Sequence, residues 1–287
     1  MKKRIVSILT AMLMAGVLAG CAGIPAASTG TGAAPSDTAQ QTDDAGEALP
    51  EADDGVFTVG FDASFPPYGY QDENGDYAGF DLDLAAEVAK RQGWEIKLQP
   101  IDWDSKDMEL SSGTIDCIWN GFTMSEERLD KYEWTEPYVD NSQVFVVAAD
   151  SGIASQADLA GKIVTVQTDS SALEALESDD SKELKDSFAE LIVVPDYNTA
   201  FLNLESGAVD AVAMDIGVAK YQIESRGDGY VILDDELISE QYGVGFLKGN
   251  TGLRDTVQKT LDEMAEDGTF METAKKWGLE DAVILGK

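Results

Sequence analysis

Short apolar runs alternate with helical patterns from Val56 to Trp277, and this alternation limits the folds open to the chain more than any other feature. Strands are predicted at residues 56–61, 96–101, 115–118, 143–149, 162–166, 191–194, 208–213, 231–233 and 242–247. Helical spacing marks residues 82–89, which Asp81 is predicted to cap, and residues 253–266 and 270–277. Because parallel strands are joined by long crossovers that are usually helices, the order of elements predicts an α/β fold with mostly parallel sheets.

A nine-residue pattern occurs twice in the chain. Residues 110–118 (LSSGTIDCI) match residues 204–212 (LESGAVDAV), 94 positions later. Each copy reads as a helix end, a glycine stop and a strand, which suggests two similarly built lobes. In open parallel sheets, ligands bind beyond the carboxyl ends of the strands. The ends predicted to carry a site hold Asn120, Gly121 and Thr123 in one lobe and Asp215 in the other.

Arg128 stands where a helix disfavours a positive charge. Ser125 is a preferred N-cap residue followed by acidic residues, which places Arg128 in the first helical turn. The helix dipole makes a cation at that place unfavourable by up to about 1 kcal/mol. A neighbouring anion would offset this cost. The anion is either a surface carboxylate, such as Glu126 or Asp130, or the carboxylate of a ligand, and we expect the ligand.

Charge and composition exclude several classes of function. The chain has 20 Lys and Arg against 54 Asp and Glu, a formal net charge of -34 at pH 7. A surface this acidic argues against binding nucleic acid and against electrostatic adhesion to anionic lipid. The absence of histidine excludes His-based acid–base catalysis and His metal sites, and neither a metal nor a cofactor is predicted. Cys117 lies in an apolar strand, so no disulfide framework is predicted.

The N-terminus reads as a processing signal. Basic residues at positions 2–4 precede an apolar run, which predicts a secretory signal peptide over residues 1–20. The tetrapeptide LAGC ending at Cys21 is similar to the bacterial lipobox, which implies lipidation of Cys21 and a membrane anchor. Residues 21–54 are acidic and low in complexity, and are predicted to be a disordered tether. The expected location is extracytoplasmic, lipid-anchored to the cell membrane, at the cell surface or in the periplasm.

The residues at the predicted strand ends suit a zwitterionic ligand. The planar guanidinium of Arg128 can bind a carboxylate through two charge-assisted hydrogen bonds. Backbone N–H groups near Gly121 and Thr123, and at the helix start near Ser171, can add donors. Asp215 is expected to take the ammonium. For both Asp215 and Ser171, a plain helix cap is the alternative role.

Aromatic side chains and one more acid lie near the same ends. Three aromatic residues flank strand ends or loops: Phe65, Trp103 and Trp119. They would form the walls of an apolar ligand pocket, although each is also a candidate for the core. Asp62 follows the first strand and is expected to be exposed. Solvation or turn capping is its alternative to a role in binding.

Several segments, in a consistent order along the chain, resemble the solute-binding proteins of amino-acid ABC transporters (extracellular family 3, polar amino-acid binding). They are residues 60–68 (GFDASFPPY), 75–85 (GDYAGFDLDLA), 103–104, 115–128, 134–138 (WTEPY, where a member often reads F-S-x-P-Y), 164–167, 204–215 and 267–270. The resemblance implies a two-lobe periplasmic-binding-protein fold of type II, in which each lobe is a mostly parallel sheet flanked by helices and two crossover strands form the hinge. It implies lobe 1 at residues 55–142 plus 239–287 and lobe 2 at residues 143–238.

The resemblance also implies roles for single residues. It assigns Arg128 to the ligand α-carboxylate, together with the positions of Gly121, Thr123 and Ser171. Asp215 matches the residue that holds the α-ammonium. The positions that surround the ligand side chain are Asp62, Phe65, Trp103 and Asn120. Two departures weaken side-chain contacts to the carboxylate: DSS at residues 169–171 replaces a common G-[ST]-[ST], and Gly121 stands where some members have serine.

The implied function is the binding component of an ABC importer, which captures a free amino acid between its lobes and delivers it to permease subunits. We expect a monomer without enzymatic activity. The alternative is a cyclohexadienyl (prephenate or arogenate) dehydratase on the same fold, with Asp62 or Asp215 as the acid. A receptor sensor module is disfavoured, because no span or output domain follows Trp277. The bound amino acid stays open: Asp62 suits a basic or amide side chain, whereas Trp103 and Trp119 suit an apolar or sulfur-containing one such as cystine.

Overall fold

The computed structural model describes residues 55–287, so the predicted signal peptide, Cys21 and the tether lie outside the described residues. Within that range the strands are β1 (Val56–Phe61), β2 (Ser64–Phe65), β3 (Gly69–Gln71), β4 (Tyr77–Ala78), β5 (Glu95–Pro100), β6 (Cys117–Ile118), β7 (Tyr132–Trp134), β8 (Val139–Ala148), β9 (Ile163–Gln167), β10 (Glu190–Val194), β11 (Ala211–Asp215), β12 (Tyr230–Ile232), β13 (Ile238–Tyr242) and β14 (Gly245–Leu247). The helices are α1 (Phe80–Gln92), α2 (Lys106–Ser111), α3 (Glu126–Leu129), α4 (Ser171–Glu177), α5 (Lys182–Ser187), α6 (Tyr197–Glu205), α7 (Ile216–Arg226), α8 (Thr251–Asp267) and α9 (Thr269–Lys276). None of these helices is long and apolar enough to cross a membrane.

The first sheet has the strand order β5-β1-β6-β14-β7. β1 pairs in parallel with β5 and β6, whereas β14 runs antiparallel to β6 and β7. β1 is buried along nearly its whole length, as expected for a central parallel strand covered on both faces. Helix α1 packs on β5 and against α8 and α9, so elements from both ends of the described range build this unit, called lobe 1 below.

The second sheet has the order β10-β9-β11-β8-β12, with β13 also paired to β8. β9 runs parallel to β10 and β11, and β8 runs antiparallel to β11, β12 and β13. The apolar run from Val144 to Val147 is buried on both of its faces, which explains why this strand reads as continuous rather than alternating. The unit built on this sheet is called lobe 2.

Two crossover strands join the lobes. The chain enters lobe 2 along β8 and returns along β13, and the first half of β8, from Val139 to Gln143, pairs with β13. The C-terminal segment adds to the start of β8: the Ile284 N–H donates to the Tyr138 carbonyl at 2.9 Å, and Val139 bridges Val283. This architecture confirms the predicted two-lobe α/β fold. The predicted residue boundaries of the lobes stay a prediction.

The repeated pattern corresponds to equivalent structure in the two lobes. Gly113 and Gly207 both take left-handed backbone angles, with φ of 74° and 73°, and end the helix before the strand. In lobe 1 the Thr58 N–H donates to the Asp116 carboxylate at 2.6 Å, and in lobe 2 the Ile163 N–H donates to Asp210 at 2.8 Å. The aspartate that the two copies share therefore fastens its own strand to the neighbouring one in both lobes.

Asp81 does not cap α1, and that prediction is wrong. The helix begins at Phe80 with Gly79 at the cap position, which places Asp81 inside the first turn and fully buried. Its carboxylate accepts hydrogen bonds from the Gly121 N–H at 2.6 Å and the Tyr138 hydroxyl at 2.8 Å. Because the Asp81 carboxylate accepts from donors in the core, it does not cap the first N–H groups of α1.

Candidate functional site

Polar side chains from the two lobes meet at the carboxyl ends of the parallel strands. Asp62 follows β1 and Gln167 ends β9, and the Gln167 Nε2 donates to Asp62 Oδ2 at 2.7 Å. Asn120 follows β6 and accepts from the Asp62 N–H at 2.9 Å, while Asp215 ends β11. The strand ends of the lobes therefore face one another, as the fold class predicts.

Arg128 is a buried cation whose partners come from the opposite lobe. Its Nη2 donates to the Asp169 carbonyl at 3.1 Å and lies 3.5 Å from Glu174 Oε2, and its guanidinium rests on the Phe122 ring. The residue is 6% exposed. The alternative partners within its own segment, at positions 126 and 130, make no ion pair with it. The predicted contact with a ligand carboxylate stays a prediction.

Asp169 forms a second contact between the lobes. Its φ of 53° is the left-handed conformation in which glycine is common, and its side chain forms an ion pair with the buried Lys106. Burial lowers the pKa of Lys106, and the hydrogen bond to Asp169 opposes that effect. Trp103 donates from Nε1 to the Asp169 carbonyl at 3.2 Å. The departure from the family's glycine thus adds a cross-lobe ion pair.

Thr123 and Ser171 meet across the lobe interface. Thr123 Oγ1 donates to Glu240 Oε1 at 2.8 Å and lies 3.2 Å from Ser171 Oγ. Helix α4 is capped by Ser170, whose Oγ accepts from the Leu173 N–H, so capping is not the role of Ser171. Among the described hydrogen bonds none uses the Thr123 N–H, since the antiparallel bridge to Tyr242 leaves it outside the ladder. The Thr123 amide is therefore available to an anion here, whereas each hydroxyl would have to turn away from Glu240 to donate to one.

Asp215 is buried and receives four hydrogen bonds. The donors are the Tyr242 hydroxyl at 2.5 Å, Gln143 Nε2 at 2.7 Å, Asn141 Nδ2 at 2.9 Å and the Tyr197 hydroxyl at 3.3 Å. Although it stands at the N-cap position of α7, its side chain makes no capping bond. Burial raises the pKa of Asp215, and its hydrogen bonds oppose the shift.

Glu240 is a functional candidate that the sequence reasoning missed. Its Oε1 accepts from Asn141 Nδ2 at 2.7 Å, from Gln143 Nε2 at 2.8 Å and from Ser171 Oγ at 3.2 Å, besides Thr123. Burial, and then the charge of Asp215, raise the pKa of Glu240 to about 7. The available signal was the pair of amides at positions 141 and 143, which point to the same face of the strand just before its apolar run.

Asp62 is buried, so the expectation that it is exposed is wrong. It is 7% exposed and accepts from the Ser64 N–H at 2.8 Å as well as from Gln167. Burial raises the pKa of Asp62 to about 6, and the Gln167 hydrogen bond opposes the shift. Asn120 Nδ2, which lies close by, is buried and has no hydrogen-bond partner among the described residues.

The predicted site residues line two cavities rather than one. A cavity of ≈ 700 Å³ is bordered by Thr123, Arg128 and Ser171, and one of ≈ 370 Å³ by Asp62 and Trp103. The remaining predicted residues border neither of them; they are Phe65, Asn120, Gly121 and Asp215. Phe65 packs between Tyr68 and Tyr197, with ring centroids 5.8 Å from each, and Trp119 belongs to the core.

The predicted use of the Gly121 amide as a ligand donor does not fit the structure. That N–H already donates to the Asp81 carboxylate, deep in lobe 1. Gly121 has a φ of 57°, and a Cβ added to it would lie 2.6 Å from the Phe65 ring and 3.1 Å from the Tyr242 ring. The glycine is therefore required by backbone conformation and by close packing of aromatic rings.

Two lobes joined by a pair of crossover strands, with polar residues facing one another between them, define the class of the periplasmic binding proteins. Residues 57–280 match the model of the family described as bacterial extracellular solute-binding proteins, family 3. The chain therefore belongs to this family.

Relatives in the family are named for amino-acid binding. The chain is 29% identical to the L-cystine-binding protein TcyJ of Escherichia coli (strain K12), over 78% of this chain and 82% of that protein. It is 30% identical to the arginine-binding extracellular protein ArtP of Bacillus subtilis (strain 168), over 76% and 84%. A solved structure of a Streptococcus pneumoniae ABC uptake transporter substrate binding protein with bound histidine matches with a TM-score of 0.77 and 35% identity, over 80% and 94%.

Substituting Gly121 tests its packing role. Gly121→Ala should lower the free energy of unfolding by about 2–4 kcal/mol, because the left-handed conformation and the aromatic contact both penalise a methyl group. Gly113→Ala is the matched control: it has the same type of backbone angle but open space around the added Cβ, so about 1 kcal/mol is expected. Urea unfolding measures both. Equal losses in the two variants would contradict the packing role.

Asp81 should make stability depend on pH. Burial raises its pKa from 3.8 to about 7 in the folded protein. The folded state therefore holds a proton that the unfolded chain releases, and stability falls as the pH rises from about 4 to about 7, by up to about 4 kcal/mol. Asp81→Asn should flatten this slope in urea unfolding at several pH values, whereas the exposed control Asp130→Asn should keep it. An unchanged slope in Asp81→Asn would show that the carboxyl is ionised throughout.

Proposed function

We propose that this protein is the extracytoplasmic binding component of an ABC importer, which captures an amino acid between its lobes and delivers it to permease subunits. One observation carries the proposal: a buried cation, Arg128, comes from lobe 1, and a buried acid, Asp215, comes from lobe 2. The two residues offer complementary charges for the two ends of a zwitterion.

The ligand carboxylate would be bound beside Arg128. The cavity of ≈ 700 Å³ reaches Arg128, Thr123 and Ser171 together, so one anion can contact the guanidinium, the Thr123 N–H and a hydroxyl. Glu174 lies 3.5 Å from Arg128 with its side chain 24% exposed, so it can move aside towards solvent. A ligand carboxylate would then complete the charge balance of the buried guanidinium.

The ligand ammonium would be bound by Asp215, and the side chain would lie near Asp62. Asp62, Asn120, Phe65 and Trp103 occupy the strand ends on that side, with a buried acid, an unpaired amide donor and two aromatic walls. This mixture suits a polar side chain. We propose a basic, amide or cystine-like amino acid, in keeping with relatives named for cystine, arginine and histidine.

Ligand binding would favour the closed arrangement of the lobes. Arg128 and Asp215 belong to different lobes, so a bound zwitterion can contact both only when the lobes are together, and that differential contact shifts the population towards closure. We propose a monomer that needs no cofactor and has no enzymatic activity. The dehydratase alternative predicts release of phenylpyruvate from prephenate, a reaction that this protein should not catalyse.

Calorimetry on substituted proteins tests the binding roles. After a thermal-shift screen of the amino acids, including cystine, Arg128→Ala and Asp215→Ala should each weaken binding of the identified amino acid by at least about a hundredfold, because each leaves one end of the zwitterion unpaired in a buried site. Arg226→Ala and Asp234→Ala, which remove a charge of the same sign outside the site, should bind normally. Wild-type affinity in either site variant would contradict the assignment, and no thermal shift with any amino acid would contradict the function.

We propose that Cys21 is lipidated after cleavage of residues 1–20 and anchors the protein to the outer face of a cell membrane. Cys21→Ser should remove the acylated residue and shift the protein from the membrane fraction to the soluble fraction, because lipid chains hold it there. Cell fractionation followed by immunoblotting measures the shift. Cys117→Ser, which alters the buried core cysteine, should leave the distribution unchanged.

A further inference from the structure

Asp215 and Glu240 place two carboxylates on the same pair of amide groups. Asn141 Nδ2 donates to Asp215 Oδ1 at 2.9 Å and to Glu240 Oε1 at 2.7 Å. Gln143 Nε2 donates to the same two oxygens at 2.7 and 2.8 Å. The two carboxyl oxygens therefore lie side by side, with Asp215 buried and Glu240 half-buried, and like charges at this spacing disfavour ionisation of both groups.

The surroundings of Glu240 offer neutral donors rather than a cation. Three phenols face the pair, those of Tyr68, Tyr197 and Tyr242, and Thr123 and Ser171 complete the contacts. Arg128 borders the same cavity but engages the Asp169 carbonyl and Glu174. On the solvent side the adjoining cavity is lined by Asp140, Lys220, Glu224 and Glu236. Within residues 55–287, neither carboxylate makes an ion pair.

Two unpaired acceptors lie on the same amide groups. Asn141 Oδ1 and Gln143 Oε1 are buried and have no hydrogen-bond partner among the described residues. Asn141 is 4% exposed and Gln143 is fully buried, so leaving these oxygens unpaired is costly. A compact group with three N–H donors and a positive charge would pair with both carboxylates and with one of these acceptors. A primary ammonium has these properties.

We propose that Glu240 and Asp215 together form a two-carboxylate site for the ligand α-ammonium, and that the pair holds one proton in the free protein, which the ammonium displaces. The inference rests on the proposed function and adds Glu240 to it as a residue that determines specificity. During binding, the O–H bond of the shared carboxylic acid breaks and the proton passes to the buffer. The ammonium brings the same charge of +1, so the net charge of the site does not change.

The exchange links binding to pH in a defined direction. Since the free pair holds a proton near neutral pH and the bound pair does not, a rise in pH should strengthen binding until the pair has ionised. Below that point, each unit by which the pH falls should weaken binding by about tenfold. An amino acid whose α-amino group is acetylated cannot replace the proton with a charge, and should be rejected.

Calorimetry in buffers with different ionisation enthalpies counts the protons released per ligand bound. The probe is L-arginine, or L-cystine if arginine gives no thermal shift. For the wild type, about one proton should be released at pH 6 and few at pH 8. Glu240→Gln keeps the side-chain size but removes the second carboxyl, so release at pH 6 should fall by about one proton. Any release from Asp62 is common to both proteins and cancels in the difference.

Glu236→Gln is the matched control, because it removes an exposed acid from the loop that leads into the same strand, and it should release protons as the wild type does. Arginine or cystine binding with no proton release at pH 6 in the wild type would overturn the inference while leaving the proposed function intact. Equal release in the wild type and Glu240→Gln would also overturn it, since a purely structural Glu240 predicts that result. If Glu240→Gln does not fold, Glu240→Ala, which also removes the second carboxyl, gives the same comparison with the wild type. Absence of binding by every amino acid would overturn both proposals.

Discussion

Burial of charge between two lobes is the condition on which this site depends. A carboxylate or guanidinium removed from water is strongly destabilised unless donors or opposite charges replace the lost hydration. Asp62, Asp81, Arg128 and Asp215 are all buried, and each is satisfied by a residue far away in the chain. Most of these bonds join different strands or different lobes. The polar interior therefore holds only when the lobes and the crossover strands take up one mutual arrangement.

The crossover strands supply the site as well as the hinge. β8 contributes Asn141 and Gln143 and β13 contributes Tyr242, all three of which donate to the acid that ends β11. β13 also contributes Glu240, which accepts from the same two amides. Under the proposed function, residues that contact the ligand lie on the segment that would bend as the lobes close. Binding and closure would then be coupled without a separate pathway, because the same hydrogen bonds would take part in both.

The sequence could predict what local patterns encode. Apolar periodicity located the sheets, and the nine-residue repeat anticipated both the left-handed glycines and the equivalent strand ends of the two lobes. It could not predict partners that come from long range. The sequence pattern marks Asp81 as a helix cap, yet its donors lie in the core. One of these donors is the backbone amide of Gly121, which the sequence marked as a ligand donor. Glu240 sits in a run of three polar residues, 239–241, that is typical of a surface strand, and only the pairing of β13 with β8 turns its side chain towards Asp215.

The pairing of the C-terminal segment with the start of β8 has a mechanical consequence. β8 is held up to Asp140 by the C-terminal segment and from Gln143 onwards by β11 and β12, which leaves residues 141–142 in a ribbon with β13 alone. A two-stranded ribbon twists more readily than a wider sheet. Torsion between the lobes would thereby be concentrated on two residues, and one of them, Asn141, donates to both of the paired carboxyls. The twist of the β8–β13 ribbon therefore depends on which groups the Asn141 amide is bonded to.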